Sequence, residues 1–201
     1  MTEAIREPTS ADLDTALARL GYTAFRPGQR EAVETLLAHR RLLLVAPTGG
    51  GKSLSYQLPA TLLAGTTLVI SPLVALMADQ VQALDARGVP ATYLAATLDA
   101  AEMRRRMARL AAGAFSLVYV APERLAFPGF RGLIRELDVP LVAVDEAHCI
   151  SEWGHDFRPD YRTLLASRYR LGRPPAVALT GSATPAVRRV IARAVGVSDC
   201  K

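Results

Sequence analysis

The residues best suited to chemistry in this sequence form a glycine-rich turn that ends in a lysine and a serine. The segment 46–53 reads APTGGGKS and directly follows the apolar run 42–45. Glycines allow backbone amides to approach a phosphate closely, and the helix that follows adds the positive end of its dipole. Lys52 would place a charge near the outer phosphates, and Ser53 would offer a hydroxyl to Mg²⁺. The predicted phosphate-binding residues are Thr48, Gly49, Gly50, Gly51, Lys52 and Ser53.

A pair of acidic residues follows a later apolar run. Asp145 and Glu146 come directly after residues 141–144. At the tip of a strand, Asp145 would hold the Mg²⁺ that bridges the β- and γ-phosphates, and Glu146 would orient the attacking water or accept its proton. Alone, the pair would favour a solvated acidic turn, but the loop at 46–53 favours the catalytic interpretation.

Short apolar runs alternate with helical patterns along the chain. Runs that are apolar on both faces suit a parallel sheet covered on both sides, and ligands gather at the carboxyl ends of such strands. The sequence therefore predicts an open, doubly wound α/β domain with helices on both faces. The predicted strands are 42–45, 68–70, 91–94, 117–120, 141–144 and 176–179, and the predicted helices are 12–20, 29–38, 73–86 and 99–112. In the last of these helices we expect Asp99 as N-cap and a solvent-facing group of Arg104, Arg105, Arg106 and Arg109.

Composition leaves the function open. The 201 residues carry a formal charge of +5, which is compatible with a phosphate-rich partner but common in other proteins. Cys149 and Cys200 cannot form a four-ligand zinc site by themselves, and we expect a buried filler and an incidental residue. No signal-peptide core or apolar run of about 20 residues is present, so we expect a cytoplasmic protein without a membrane segment. Residues 1–10 are predicted to be a flexible lead-in.

Further motifs occur in a characteristic order around these two sites. They are FRPGQ at 25–29, SPL at 71–73, APERL at 121–125, DEAH at 145–148, an aromatic-rich segment CISEWGHDFRP at 149–159, and TGSATP at 180–185. The loop at 46–53 together with DEAH resembles the superfamily 2 helicases. The aromatic-rich segment resembles that of the RecQ DNA helicases, and the similarity runs from about residue 20 to 197.

This resemblance implies a RecA-like P-loop NTPase domain with ATP and Mg²⁺ as cofactors. Catalysis would depend on Lys52, Asp145 and Glu146, with Ser53 and Asp145 as metal ligands. Gln29 could pair with adenine through its side-chain amide, while Tyr22 stacks on the base and Arg26 holds the base or ribose region. Tyr22 and Arg26 could instead only fasten their loop to the first helix.

The resemblance also implies a DNA surface coupled to the ATP site. Aromatic faces and a guanidinium suit unpaired bases, and hydroxyls after residue 179 could link the DEAH segment to DNA. TGSAT stands where the family usually has TATAT, so Gly181 loosens the loop and Ser182 keeps a hydroxyl. Tyr161 fits packing and DNA sensing equally. The predicted DNA-binding or coupling residues are Ser71, Arg124, His148, Trp153, His155, Phe157, Arg158, Thr180, Ser182 and Thr184.

The leading functional prediction is the ATP-binding half of a RecQ-like motor that translocates on single-stranded DNA and unwinds duplexes in DNA repair and recombination. Residues 1–201 would be its first RecA-like domain, with the second RecA-like, zinc-binding and winged-helix domains absent. We expect a monomer, associated with the nucleoid if bacterial, whose isolated chain binds ATP but hydrolyses it slowly. The alternatives are an RNA helicase or duplex translocase of the same superfamily and a stand-alone ATP-responsive nucleic-acid-binding module.

Overall fold

A six-stranded parallel sheet forms the centre of the computed structural model, which describes residues 8–151 and 174–196. The strand order is β1-β6-β5-β2-β4-β3, and all five pairings are parallel. This confirms the predicted open parallel sheet, and the predicted strands agree with the observed ones to within one residue. The strands are β1 Arg41–Val45, β2 Thr67–Ile70, β3 Ala91–Leu94, β4 Leu117–Val120, β5 Val142–Val144 and β6 Ala176–Thr180.

Helices cover both faces of this sheet and bury two hydrophobic clusters. Leu68 and Val69, adjacent on β2, belong to opposite clusters because successive side chains of a strand alternate between faces. One cluster contains residues of α1 to α4, and the other contains residues of α5 to α7. The helices are α1 Ser10–Arg19, α2 Gln29–His39, α3 Leu54–Leu62, α4 Val74–Asp85, α5 Ala100–Ala111, α6 Pro128–Glu136 and α7 Pro185–Val195, with 3₁₀ turns η1 Pro122–Ala126 and η2 Ala147–Ile150.

Side-chain caps fix where several helices begin. Thr9 and Asp12 form a capping box on α1, so this helix begins at Ser10. Asp99 accepts a hydrogen bond from the Glu102 amide and caps α5, as predicted. Thr184 caps α7 through the amide of Val187.

The prediction that the four arginines of α5 all face solvent is wrong for Arg106. Its side chain is 20% exposed, its guanidinium lies 4.4 Å from the centre of the Tyr93 ring, and Nη1 donates to the Tyr93 carbonyl at 3.0 Å. Glu102 accepts hydrogen bonds from both Arg105 and Arg106, which lower the pKa of the Glu102 carboxyl. The long arginine stem thus covers an aromatic ring while its head stays paired.

The strand order decides which loops meet at the carboxyl edge. Because β6 lies between β1 and β5, the segment after Thr180 stands between the loop at 46–53 and Asp145. Neighbouring strands are about 4.8 Å apart, so these segments lie within side-chain reach of each other. In the described part of the chain, no helix has the length and apolar character needed to cross a membrane.

Candidate nucleotide-binding site

The glycine-rich loop has a backbone that side chains would not tolerate. Gly49 and Gly51 have φ angles of 81° and 72°, in the left-handed region that favours glycine. A Cβ at Gly50 would lie 3.0 Å from the Pro47 carbonyl oxygen, and a Cβ at Gly51 would collide with the side-chain amide of Gln29. The three glycines are therefore needed for the shape of the loop itself.

Lys52 is bonded to its own loop. Its Nζ donates to the carbonyl oxygens of Ala46 at 2.8 Å and Pro47 at 3.2 Å. Ser53 stands at the start of α3, and its hydroxyl makes no capping hydrogen bond. A phosphate in the loop would offer Lys52 a stronger, charged acceptor than these carbonyls.

Two side chains from the segment before α2 strap this loop. The Arg26 guanidinium donates to the Gly49 carbonyl at 2.9 Å, and the Gln29 amide nitrogen donates to the Gly51 carbonyl at 3.0 Å. The Gln29 amide oxygen accepts a hydrogen bond from the Arg26 backbone at 2.8 Å. Both ends of the Gln29 amide are thus engaged within the protein, and adenine pairing would require it to exchange these partners. Tyr22 is 38% exposed, and the Arg87 guanidinium lies 5.1 Å from its ring centre.

Asp145 faces the loop from the end of β5. Its backbone amide donates to the Ile70 carbonyl at 2.8 Å, and its Oδ1 accepts from the Glu146 amide at 3.0 Å. Burial raises the pKa of the Asp145 carboxyl, the neighbouring Glu146 charge raises it further, and Lys52 opposes both effects. A cation bound at this carboxylate would favour its ionised form.

Ser71 lies behind this carboxylate rather than on an outer surface. It is 2% exposed, and its hydroxyl donates to Asp145 Oδ2 at 3.5 Å. This position suits orientation of Asp145, and the DNA-phosphate contact predicted for Ser71 stays a prediction.

His148 links the acidic segment to the loop after β6. Its Nδ1 lies 3.2 Å from Glu146 Oε2 and 3.1 Å from Thr180 Oγ1. The Thr180 hydroxyl gives its hydrogen to the Ser182 carbonyl at 2.9 Å, so it can only accept from His148. We therefore assign a hydrogen to Nδ1 that is donated to Thr180, with the Glu146 carboxylate 3.2 Å from the same nitrogen. The Thr180 carbonyl in turn accepts from the Ala46 amide at 3.2 Å, which ties the start of the glycine-rich loop to the same segment.

Most of these groups line one open cleft of about 420 Å³. The cleft brings together predicted residues from both sides of the sheet edge, but its lining omits Gly50, Arg124, His148 and the Thr180 loop. Its lining residues from the predicted site are Tyr22, Arg26, Gln29, Thr48, Gly49, Gly51, Lys52, Ser53, Ser71, Asp145 and Glu146. Trp153, His155, Phe157, Arg158, Tyr161 and Cys200 lie outside the described residues, and Cys149 is buried in the core as expected.

The polar floor of the cleft was not predicted. Gln57 on α3 donates to the Tyr119 hydroxyl at 3.0 Å and to Gln80 on α4 at 2.6 Å. The rings of Tyr56 and Tyr119 meet edge to face with centres 6.3 Å apart, and burial raises the pKa of Tyr119 to about 12. The available signal was a tyrosine in an otherwise aliphatic strand, because a buried hydroxyl needs a partner.

The oxygen donors of the cleft are too few for a metal cage made by protein alone. Within 8–151 and 174–196, no group of three or more histidine, cysteine or acidic residues could hold a metal ion. Mg²⁺ in phosphate sites uses only one or two protein carboxylates together with phosphates and water. Asp145 and the Ser53 hydroxyl therefore fit this cation.

Comparison with known proteins finds sequence relatives among the RecQ DNA helicases. ATP-dependent DNA helicase RecQ from Bacillus subtilis is 48% identical over 169 residues, covering 83% of this chain and 29% of the relative. RecQ from Pasteurella multocida is 44% identical over 181 residues, covering 90% of this chain and 29% of the relative. The chain thus spans less than a third of the length of these relatives.

Solved structures share the fold at low identity. The Mycobacterium smegmatis helicase Lhr, bound to single-stranded DNA and AMP-PNP, superposes with a TM-score of 0.68 at 22% identity, covering 92% of this chain and 26% of Lhr. The helicase MrfA, bound to DNA, gives a TM-score of 0.70 at 15% identity, covering 95% of this chain and 29% of MrfA. The predicted RecA-like domain is thereby confirmed. The family model DEAD/DEAH box helicase matches residues 26–192, and the chain belongs to that family.

Proposed function

We propose that this chain is the ATP-binding half of a RecQ-like DNA helicase motor, which couples ATP hydrolysis to movement along single-stranded DNA and to duplex unwinding in repair and recombination. The identity of 48% to a RecQ helicase over 83% of the chain supports this proposal. The relatives are longer, and in the complete motor we propose a second RecA-like domain together with zinc-binding and winged-helix domains. Residues 1–201 are then its first RecA-like domain.

In this proposal the glycine-rich loop receives the triphosphate. The amides of Gly49, Gly50 and Gly51 face the β-phosphate, and Lys52 exchanges its carbonyl partners for phosphate oxygens. Such an exchange is favourable because a phosphate oxygen carries a negative charge that attracts the ammonium, whereas a carbonyl oxygen offers only a dipole. Tyr22, Arg26 and Gln29 border the same cleft and take the base and ribose.

Ser53 and Asp145 hold Mg²⁺ in this proposal. Both offer hard oxygen donors, and the buried Asp145 carboxyl with its raised pKa gains from a neighbouring cation. The bound ion would supply charge neutralisation at the β- and γ-phosphates. Ser71 steadies the carboxylate from behind.

Glu146 is proposed to orient the attacking water or accept its proton. His148 Nδ1 lies 3.2 Å from the Glu146 carboxylate and is hydrogen-bonded to Thr180. A movement of the Thr180 loop therefore changes the partners of the catalytic carboxylate. DNA-linked coupling is proposed to pass through this bond, with Trp153, His155, Phe157 and Arg158 sensing bases and Ser182 and Thr184 close to the strand.

The observation that carries the proposal is the convergence of Lys52, Asp145 and Glu146 on one cleft of about 420 Å³. Its test is nucleotide binding by the 201-residue chain, followed by ATP turnover of the full-length protein with single-stranded DNA, RNA or duplex DNA. We expect the chain to bind ATP with slow turnover and no unwinding, and single-stranded DNA to give the largest stimulation. Preferential stimulation by RNA or duplex DNA would replace DNA unwinding by the corresponding superfamily activity. Tight ATP binding without turnover in the full-length protein would instead support a binding module.

We also propose that the motor acts as a monomer on chromosomal DNA in the cytoplasm. This part follows from the RecQ resemblance. Sedimentation of the full-length protein with and without DNA tests the monomer, with a concentration-dependent dimer as the contrary result.

A further inference from the structure

An exposed phenylalanine lies beside an arginine beyond the nucleotide cleft. Phe127 is 51% exposed and precedes α6 without contributing a side-chain cap. A single exposed apolar residue is common at protein surfaces and implies nothing alone. The Arg124 guanidinium lies 4.8 Å from its ring centre, and among the described phenylalanines that carry such an arginine, Phe127 is the exposed one.

Among the residues that the structure describes, no anion is paired with the Arg124 side chain. Its Nε is buried and makes no hydrogen bond, and no ion pair or other hydrogen bond of its guanidinium exists among the described residues. By contrast, Arg30 over Phe25 is paired with Asp14, and Arg106 over Tyr93 is paired with Glu102. A buried donor without a partner costs stability, and the guanidinium to which it belongs retains the capacity to bind an anion.

The pair lies on the same sheet edge as the nucleotide cleft. It belongs to the segment that follows β4, whose Tyr119 lines the cleft. β4 is four strands from β1 and three from β6, which places the end of β4 about 19 Å along the edge from the end of β1 and about 14 Å from the end of β6. Arg131 stands one helical turn further on α6, where its amide donates to the Phe127 carbonyl, and adds positive charge.

We propose that Arg124 and Phe127 form one nucleotide-binding step for single-stranded DNA, with the guanidinium on a phosphate and the phenyl ring stacked on the adjoining base. This rests on the proposed function and adds Phe127 to it. An unpaired guanidinium calls for an anion, and an accessible aromatic face beside it calls for a flat partner. A nucleotide offers both at once, whereas an acidic peptide would leave the ring face unused.

The test separates base stacking from charge. Binding of the full-length protein to an oligothymidylate of about twelve nucleotides is measured by fluorescence anisotropy, alongside a series in which each strand has one abasic position. In the unmodified protein, removal of the base at one position should weaken binding about five- to a hundredfold through the Phe127 stack. Phe127→Leu should abolish the penalty at that position, and Phe127→Tyr should restore it.

A matched pair of arginine variants controls for charge. Arg109 lies 4.8 Å from the centre of Phe115, the same distance as in the proposed site, but Phe115 is only 6% exposed and cannot stack on a base. Arg124→Leu should weaken binding roughly tenfold and reduce its salt dependence, whereas Arg109→Leu should leave both nearly unchanged.

Three results would overturn the inference. If Phe127→Leu and the unmodified protein bind every singly abasic strand with equal affinity, Phe127 does not stack on a base. A loss that is uniform over all strands, including a fully abasic one, assigns Phe127 to packing. Absence of single-stranded DNA binding by the unmodified protein defeats the proposed function itself, and so can be told apart from the first two.

Discussion

The two ends of the carboxyl edge treat their cations in opposite ways. At the β1 end, Lys52 and Arg26 are bonded to carbonyls of the glycine-rich loop. At the β4 end, Arg124 is left without a hydrogen-bond or ion-pair partner among the described residues. At the first end the cations are hydrogen-bonded to the loop that would bind the ligand. At the second end the unpartnered Arg124 Nε lowers the stability of the fold. A ligand at the first end would replace existing hydrogen bonds of Lys52 and Arg26, whereas an anion at the second end would add hydrogen bonds to Arg124.

The largest expected effect is that of Lys52→Ala on nucleotide binding. Removing the cation that faces the phosphates should lower ATP affinity at least about a hundredfold, because the charge-assisted contact in a desolvated cleft is lost. The ligand-free thermal midpoint should change little, since the freed carbonyls border an open cleft. Titration calorimetry with Mg-ATP measures the first quantity and thermal denaturation the second. Normal ATP binding would refute the assignment of the loop, and Lys52→Arg is the control that keeps the charge.

Thr180→Val should uncouple DNA binding from ATP turnover. Its effect on nucleotide affinity should be smaller than that of Lys52→Ala. Thr180 is fully buried, and valine keeps its shape while removing the hydroxyl that contacts His148 and Ser182. We expect roughly a tenfold loss of DNA-stimulated turnover in the full-length protein, with ATP affinity within about twofold of the original. Steady-state ATPase assays with and without single-stranded DNA decide this. A parallel fall in affinity would show that the hydroxyl serves the shape of the loop instead.

Gln29→Ala distinguishes a strap from an adenine contact. If Gln29 only holds the Gly51 carbonyl and the Arg26 amide, affinity for ATP and GTP should fall together, by a few-fold. If it exchanges these partners for adenine, as the sequence predicts, only ATP affinity should fall, by about tenfold. We expect the selective loss. Competition between the two nucleotides for the same fluorescent analogue measures the ratio directly.

Asp145→Asn should stabilise the ligand-free chain while impairing Mg²⁺-dependent binding. The pKa of Asp145 is raised above its ordinary value of 3.8 by burial and by Glu146, so the folded state binds its proton more tightly than the unfolded state. Ionisation of Asp145 therefore removes stability as pH rises from 3.8 through the raised pKa. The thermal midpoint of Asp145→Asn should exceed the original by a few degrees at neutral pH, and the gap should narrow as pH falls toward 3.8. A gap that is independent of pH would contradict this cause.

The smallest expected effect is on the thermal midpoint, where substitutions of Arg124 and Arg26 should have opposite signs. Arg124→Met should raise the ligand-free thermal midpoint by about one or two degrees, because an unpaired buried donor is removed and the apolar stem is kept. Arg26→Met should lower it, since its bond to Gly49 is lost. Shifts of the same sign for both variants, measured by calorimetry in one buffer, would remove the contrast between the two ends.

Local sequence patterns were sufficient for the elements and for the location of the site. Apolar runs identified every strand to within one residue, and Asp99 was correctly predicted to cap its helix because capping depends on residues only three positions apart. The glycine-rich loop and Asp145 were expected at one sheet edge because parallel strands bring their carboxyl ends together.

Contacts between distant segments were not accessible in the same way. Burial of Ser71 beside Asp145, the strap from Gln29 to Gly51 and the cover of Tyr93 by Arg106 each depend on which surfaces pack together. The same holds for the Tyr119 hydroxyl, whose partner Gln57 is 62 residues away. Residue types and spacing give the groups available for chemistry, and packing decides which of them already have partners.

The backbone at Glu146 is strained, and this strain lowers the stability of the folded chain. Its φ of 47° lies in the left-handed region, where a residue with a Cβ is strained by about 1–3 kcal/mol. Glycine at this position would relieve that strain and remove a charge beside Asp145. Glutamate at this position therefore lowers stability, and in the proposed function it is retained because its carboxylate acts on the attacking water.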